Sequence, residues 1–379
     1  MTGARQGSES DGSGERQHGG CQQPEPSSGR TAGRNAVEGG RRRLLYRAQV
    51  VLGLILGIAA LVLVARAIDF EALKEALRGV RPLFVLLTLL ASLLTPVLKA
   101  IRWRWLFHPL DPGLSTLALA GHVVIGQATN FLIPGRWGEL VRTFLAGEDT
   151  GISKWTVLGT LAAEKLIDLV VLAVLVLILL PAVTLPEALA GRVQLIVGGA
   201  LAVTVVAAAL LGGRSVWMGL VDRVLVRAPA AAAARWRARI DALLEGLAAL
   251  GRGRAAGPIW GWTLLFWATA ALTNLLLLLA FGQPPSIVAA LLVLAALQGG
   301  IAVPSTPGKI GVFQLLSMAA LAVAGVPQAT GLAFGIVQYV LVVGSITAWA
   351  ALTLWRRSLS LSGLVRASAS WQSGPAGEV

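Results

Sequence analysis

Cysteine is nearly missing from this chain. Cys21 stands alone, so neither a disulfide framework nor a thiolate metal site can be built. Histidine is scarce too, at three in 379 residues, and none lies at metal-ligand spacing from another, so no metal site and no cofactor are expected. Charge is thin, with Asp, Glu, Lys and Arg making up 13% of the chain; a soluble domain carries about 25%. No P-loop, dinucleotide fingerprint, nucleophile elbow or zinc signature occurs, so no catalytic residue is assigned. No Asp-x-Asp pair exists to hold a metal on a sugar nucleotide, which weighs against a glycosyltransferase. Acids are the scarcer sign, 19 against 32 bases, for a net charge of +13. No finger, recognition-helix or RNA-binding signature accompanies that excess, which excludes nucleic acid as the partner. The bases border apolar runs instead and read as topology determinants facing anionic headgroups.

What is abundant is apolar surface: 55% of the residues are hydrophobic and the mean hydropathy is +0.73. Runs long enough for a helix of about 20 residues fall at 48–66, 83–101, 155–180, 192–213, 258–281 and 330–354. Two further runs, 114–146 and 286–325, are interrupted. Residues 69–80 have apolar positions at helical spacing with charges opposite, as an interfacial helix does. Residues 1–40 are polar and Gly-rich and read as a disordered cytoplasmic tail, 41–357 as the membrane domain, and 358–379 as a cytoplasmic C-terminal tail.

Lys and Arg in short loops set orientation. Arg41, Arg42, Arg43 and Arg47 precede the first span, and Lys99, Arg102 and Arg104 follow the second. Residues 181–191 and 282–286 carry no base, whereas 214–257 carries eight arginines; Arg356, Arg357 and Arg366 follow the last span. The chain therefore reads as a multi-pass protein of the inner cell membrane with both termini cytoplasmic. The count closes if each interrupted run enters and leaves on one face. The fold expected is an all-α integral membrane bundle with two re-entrant helix pairs in an inverted repeat. Arg66, Lys74, Arg78 and Arg81 oppose this scheme, and eight full spans would also leave both termini inside.

The interruptions are Leu132-Ile-Pro-Gly-Arg-Trp-Gly-Glu139 and Ser305-Thr-Pro-Gly-Lys-Ile-Gly-Val-Phe-Gln314, one in each half of the chain. Pro134-Gly135 and Pro307-Gly308 do not belong in helix interiors, since one residue removes a donor and the other adds chain entropy. In lipid, irregular backbone survives only inside protein or along a wet cavity, and paired breaks in two halves point to a transport site. Free NH groups after each break, with Arg136 or Lys309 beside them, suit a phosphate. A plainer reading has Arg136 and Glu139 pairing within one helix turn and Lys309 snorkelling.

Glu164, Lys165 and Asp168 sit in an otherwise apolar span. The two acids share a face and Lys165 is offset by about 100°. Ionised groups at the bilayer centre each cost about 2.5–3.5 kcal/mol, so these three handle substrate or protons, or else pair to hold the break in place. Because an amide is cheaper to bury than a carboxylate, a purely structural role predicts that Glu164→Gln and Asp168→Asn keep or gain stability. Gln127, Asn130 and Gln314 flank the breaks as hydrogen-bonding amides, and Asn274, Gln338 and Tyr339 read as helix-packing contacts. His122 is a lone imidazole, and tryptophans such as 103, 155, 236 and 267 read mostly as an interfacial belt.

Three motifs, Asn130-Phe-Leu-Ile-Pro-Gly-Arg-Trp-Gly-Glu-Leu-Val-Arg142, Glu164-Lys-Leu-Ile-Asp168 and Pro304-Ser-Thr-Pro-Gly-Lys-Ile-Gly-Val-Phe-Gln314, together resemble the flippase-like transmembrane domain of lysylphosphatidylglycerol synthases. The resemblance covers about 45–357 and implies a stand-alone domain, without the soluble aminoacyl-transfer part. It implies a lipid flippase-like role, with Arg136, Glu139, Arg142, Glu164, Asp168 and Lys309 at the motif positions. Gln314 stands where the family often has Glu, Lys165 where Arg is frequent, and Val340 where Arg is common. A neutral residue at 314 counts against proton coupling there. The partner expected is an anionic phospholipid or polyprenyl-linked lipid. The rival is a membrane-embedded transferase acting on a lipid-linked sugar.

Overall fold

Among the described residues every element is helical, and capping residues account for where several begin and end. The computed structural model describes residues 70–110, 113–133, 137–182, 214–226, 229–247, 253–300 and 309–373, with a few positions between 195 and 205. The amphipathic segment becomes α1 (Phe70–Arg78). Next comes α2 (Pro82–Leu106), started by Pro82 at its first turn, where the missing NH costs nothing. Pro96 inside α2 leaves the Ser92 carbonyl without its NH, and the Thr95 hydroxyl donates to that carbonyl at 2.8 Å. The Ser115 hydroxyl accepts from the Ala118 NH and opens α3 (Thr116–Leu132). Across the first break lies α4 (Gly138–Thr150), closed by left-handed Gly151 at φ 69°. The long α5 (Lys154–Leu179) ends in a 3-10 turn, and α6 (Arg214–Leu225) and α7 (Ala230–Leu247) follow.

The later elements repeat the order long, short, short, long. They are α8 (Gly253–Ala280), α9 (Ile287–Gly300), α10 (Val312–Val323) and α11 (Gln328–Tyr339), which runs through a π-helical turn (Val340–Gly344) into α12 (Ser345–Arg356). The starting residues pair off as Pro82 with Gly253, Thr116 with Ile287, Gly138 with Val312 and Lys154 with Gln328. The sequence separation within these pairs is constant to within one helical turn. Among the described residues four helices are long and apolar enough to cross a membrane: Pro82–Leu106, Lys154–Ala182, Arg254–Ala280 and Gln328–Arg356. They coincide with four of the six expected spans. The other two, 48–66 and most of 192–213, lie outside the described residues, as do the tail 1–40, Pro134, Gly135, Arg136, Pro307 and Gly308. At 1.5 Å per residue α4, α9 and α10 are only about 18–21 Å long and α3 about 26 Å, short of a hydrocarbon core of about 30 Å.

Packing leaves apolar side chains on the outside as well as in the core. Leu83, Leu86, Leu90 and Leu94 stay exposed along one side of α2, as a lipid-facing stripe requires, while Arg102 and Glu164 are buried. Between helices, small residues replace hydrophobic drive. Gly126 of α3 meets Gly138 of α4 so closely that a methyl on Gly138 would collide with the Gly126 carbonyl and the Asn130 amide. Gly159 of α5 and Gly246 of α7 cross in the same way. α8 packs along α2, and α12 packs on α3. After the last span, α13 (Leu361–Ser373) lies on α4, with Leu364 buried and Trp371 5.3 Å from Trp155.

Candidate functional site: a buried ion network beside the first break

The close α3–α4 crossing brings Asn130 over the N-terminus of α4. Its Oδ1 accepts from the Gly138 NH at 2.8 Å, and its Nδ2 donates to Glu139 Oε2 at 3.1 Å. One amide thus ties the two ends of the first break together, satisfying a helix-start NH that nothing within the helix can take. At the second break Gln314 caps the start of its own helix, where its Oε1 accepts from the Gly311 NH at 2.8 Å.

One turn into α4, Arg142 reaches α5 and binds Glu164 with both ends of its fork, Nη2 to Oε2 at 2.8 Å and Nη1 to Oε1 at 3.3 Å. Its guanidinium lies over Trp103, 3.7 Å from the ring centre. Arg102 of α2, with 0% exposure, bridges the two acids. Its Nη1 donates to Asp168 Oδ1 at 2.7 Å, and its Nη2 lies 3.2 Å from Asp168 Oδ2 and 3.3 Å from Glu164 Oε1. Lys99 Nζ stands 3.8 Å from Glu164 Oε1, and the Trp267 indole NH of α8 donates to Asp168 at 3.3 Å. The third charged residue of the α5 motif faces elsewhere, as its offset around the helix requires: Lys165 Nζ lies 3.4 Å from Glu139 Oε1.

Glu164, 1% exposed, therefore carries three cations around one carboxylate. Among the described residues the network sets Lys99, Arg102, Arg142 and Lys165 against Glu139, Glu164 and Asp168, one positive charge in excess. Attraction between such charges strengthens in a low dielectric, and so does the penalty for removing any one of them. The Nε atoms of Arg102 and Arg142 are buried with no hydrogen-bond partner. Lys309, from the second break, lies 5.5 Å from the ring of Phe131, the residue before the end of α3. The second break's cation is thus next to the first break.

Of the residues singled out from sequence, Asn130, Glu139, Arg142, Glu164 and Asp168 come together in one network, and Lys309 lies beside it. Gln314 caps α10. Two expectations need correction. Arg102 and Lys99 are not loop bases following the second span, because α2 continues to Leu106 and carries both inside it. Trp103 and Trp267 do not form part of a lipid-facing belt, since both are buried against this network. The available signal was the phase: Lys99, Arg102 and Trp103 lie on one side of a continuous helix. His122 is not solitary either. Its Nε2 lies 2.8 Å from Asp149 and 3.1 Å from Arg357, and Arg357 bonds Asp149 at 2.7 Å, so the end of α4 is clamped to the end of α12. The His122 hydrogen bond, helped by Arg357, holds the Asp149 carboxyl down at about 2. Among the described residues no group of three or more His, Cys, Asp or Glu side chains is arranged to hold a metal.

Residues 50–355 match the family described as the lysylphosphatidylglycerol synthase TM region. A stretch of 133 residues is 28% identical to the glycosyltransferase AglD of Haloferax volcanii. It makes up 35% of this chain and 21% of that protein, so the chain spans about a fifth of the length of the relative it matches. No solved structure shows a significant match.

Proposed function

Because the chain belongs to the lysylphosphatidylglycerol synthase TM-region family, we propose that it moves, or helps move, an anionic phospholipid or polyprenyl-linked lipid across the inner cell membrane. The observation that carries this reading is the Glu164 carboxylate, buried within a spanning helix and held by Arg142, Arg102 and Lys99. A carboxylate so placed occupies the same fork that would grip a phosphate. In this mechanism a headgroup phosphate replaces Glu164 on Arg142, while Asp168 keeps Arg102 in place. Arg136 and Lys309 meet the headgroup at the breaks, Asn130 and Gln314 hold the broken ends open, and Glu139 with Lys165 closes the near side. As residue types, Pro134-Gly135 and Pro307-Gly308 disfavour continuous helix across the breaks. The short pairs α3–α4 and α9–α10 dip in from opposite faces as an inverted repeat, with both termini cytoplasmic. Glu164 and Asp168 gate the passage and are the groups through which proton coupling would act.

The test is translocation in proteoliposomes of the full chain, read by quenching of fluorescent lipid in the outer leaflet. Wild type should move anionic lipid with no covalent change, and Arg142→Gln should slow it about 10- to 150-fold, the loss of a charge-assisted contact. No movement above empty liposomes would defeat the reading.

A second reading, a transferase acting on a lipid-linked sugar, rests on the relative's name, glycosyltransferase. About four fifths of that protein has no counterpart in the match. Transfer of radiolabelled sugar to lipid by the purified protein would favour it.

A further inference from the structure

One polar cluster outside the ion network has no part in the transport reading. His122 of α3, Asp149 at the end of α4 and Arg357 just past α12 meet at one point. His122 Nε2 lies 2.8 Å from Asp149 Oδ2 and 3.1 Å from Arg357 Nη1, while Arg357 Nη2 donates to Asp149 Oδ1 at 2.7 Å. A single ring nitrogen thus faces an acceptor and a donor together. It serves only one of them: with its hydrogen it donates to the carboxylate, and without it it accepts from the guanidinium. The ring is 0% exposed, and its Nδ1 is buried without a hydrogen-bond partner, so no neighbour on that side fixes its tautomer or charge.

Imidazole is the side chain whose ordinary titration falls between pH 5 and 8. Asp149 stays ionised across that range, its carboxyl held at about 2 by the His122 hydrogen bond with help from Arg357. With a neutral ring, one carboxylate balances one guanidinium. A proton on the ring commits Nε2 to Asp149 and sets a second cation 3.1 Å from Arg357 Nη1. No other acid in the surrounding helices is placed to offset it. On α4, Arg142 is a further cation and Glu148 is paired with Lys154 at 2.7 Å. On α2, Lys99 and Arg102 are committed to Glu164 and Asp168, Arg104 is exposed, and His108 lies against Trp105. Arg356 of α12 is exposed.

Of the two cations, Arg357 is the one able to leave. Gly121, next to His122, crosses α12 so closely that a methyl there would lie 3.1 Å from Thr353 Cγ2, which leaves the ring little room to withdraw. The Arg357 side chain is 35% exposed and has water to swing into. His122 and Asp149 both belong to the α3–α4 pair, so Arg357 is the member that ties the cluster to α12. Just beyond it, Ser358 turns the chain at φ 53°, a left-handed bend usually left to glycine, and leads into α13 on α4.

We propose that His122, Asp149 and Arg357 form a proton-operated latch: the neutral ring lets Arg357 fasten the end of α12 to the α3–α4 pair, and a proton on the ring displaces Arg357 from Asp149 and frees the joint that carries α13. Acid thereby loosens the far end of α4, the helix that presents Arg142 to Glu164 two turns away. The latch goes beyond the transport reading and does not rest on it.

Double electron–electron resonance measures the joint. Full-length protein with Cys21→Ser carries spin labels at Leu117→Cys on α3 and Ser362→Cys on α13, both exposed positions, in lipid nanodiscs at pH 8 and pH 5. The labelled parent should show one narrow distance at pH 8 and a second, broader population at pH 5. The ratio of released to latched protein should rise about 10-fold or more, the weight of one charge-assisted hydrogen bond. His122→Gln, which cannot charge, should keep the pH 8 distribution at both values. Arg357→Gln should be released already at pH 8 and change no further at pH 5; it decides the matter by itself if His122→Gln does not fold. A parent distribution that ignores pH, acid broadening that survives in either variant, or a narrow Arg357→Gln distribution at pH 8 overturns the latch. Acid unfolding would broaden all three proteins alike and so reads as refutation.

Discussion

Glu164→Gln should destabilise the protein strongly, although an isolated glutamine is far cheaper to bury than an isolated glutamate. The carboxylate has four contacts to cations: Arg142 at 2.8 and 3.3 Å, Arg102 at 3.3 Å and Lys99 at 3.8 Å. Asp168 still holds Arg102 after the substitution, and Trp103 still faces Arg142, so the stranded charges are those of Arg142 and Lys99. Removing one partner of a buried pair costs about 3–5 kcal/mol. The amide oxygen that remains restores about 1 kcal/mol as a neutral acceptor. The expected loss is therefore about 2–4 kcal/mol.

Reversible SDS-induced unfolding of the purified protein in mixed micelles, followed by tryptophan fluorescence, measures it. Arg142→Gln and the double substitution complete a cycle. The double should be milder than the sum of the singles by about 1.5–3 kcal/mol, because it removes charge from both sides. A Glu164→Gln protein as stable as wild type, or strictly additive singles, would refute the network as an energetic unit. The expectation drawn from sequence, that a structural Glu164 tolerates an amide, is reversed because it weighed the acid alone and not the cations that depend on it.

Gly138→Ala should lose most folded protein in the membrane, since its methyl would strike the Gly126 carbonyl; fluorescence-detected size exclusion reads this, and a normal monodisperse peak would argue against the tight crossing. With Cys21 replaced, cysteines at Gln283 and Arg237 should react with an impermeant maleimide from opposite sides of intact cells, and labelling from one side would break the orientation. Asp149→Asn should melt below wild type at pH 7. Its folded carboxyl is held below the ordinary 3.8, so the advantage is present above that value and should vanish as pH falls towards 2. Arg136→Ala should slow transport more than Arg136→Lys, which keeps charge but not the bidentate fork, and equal effects would mean that charge alone matters.

Span positions and the two breaks were readable because both are written in local composition: four long apolar runs became the four long helices, and Gly and Pro mark where helix cannot continue. The acids of α5 were readable for the same reason, being rare in an apolar stretch. Their partners were not. Arg102 sits near a helix end, where bases normally signal a cytoplasmic loop, and only the continuation of α2 by another turn turns it inward. The His122–Asp149–Arg357 clamp joins residues up to 235 positions apart, and no local pattern announces such a pair.

The same argument explains why the pairing of Asn274 with Gln338 was not legible in the sequence. Asn274 and Gln338 are neutral amides on apolar helices, the commonest kind of packing contact between spanning segments. What separates them from ordinary packing is register. Each follows its charged counterpart, Arg102 or Glu164, at the separation of the paired helix starts, and that counts only once the helices are known to repeat. A duplicated fold that kept both ion networks would bury twice the charge, with several kcal/mol at risk for every partner that moved. Discharging one copy keeps the polar position and removes that penalty. The half that keeps its charges is then held by several ion pairs to fixed partners, whereas the neutral half carries a π-helical turn just after Gln338.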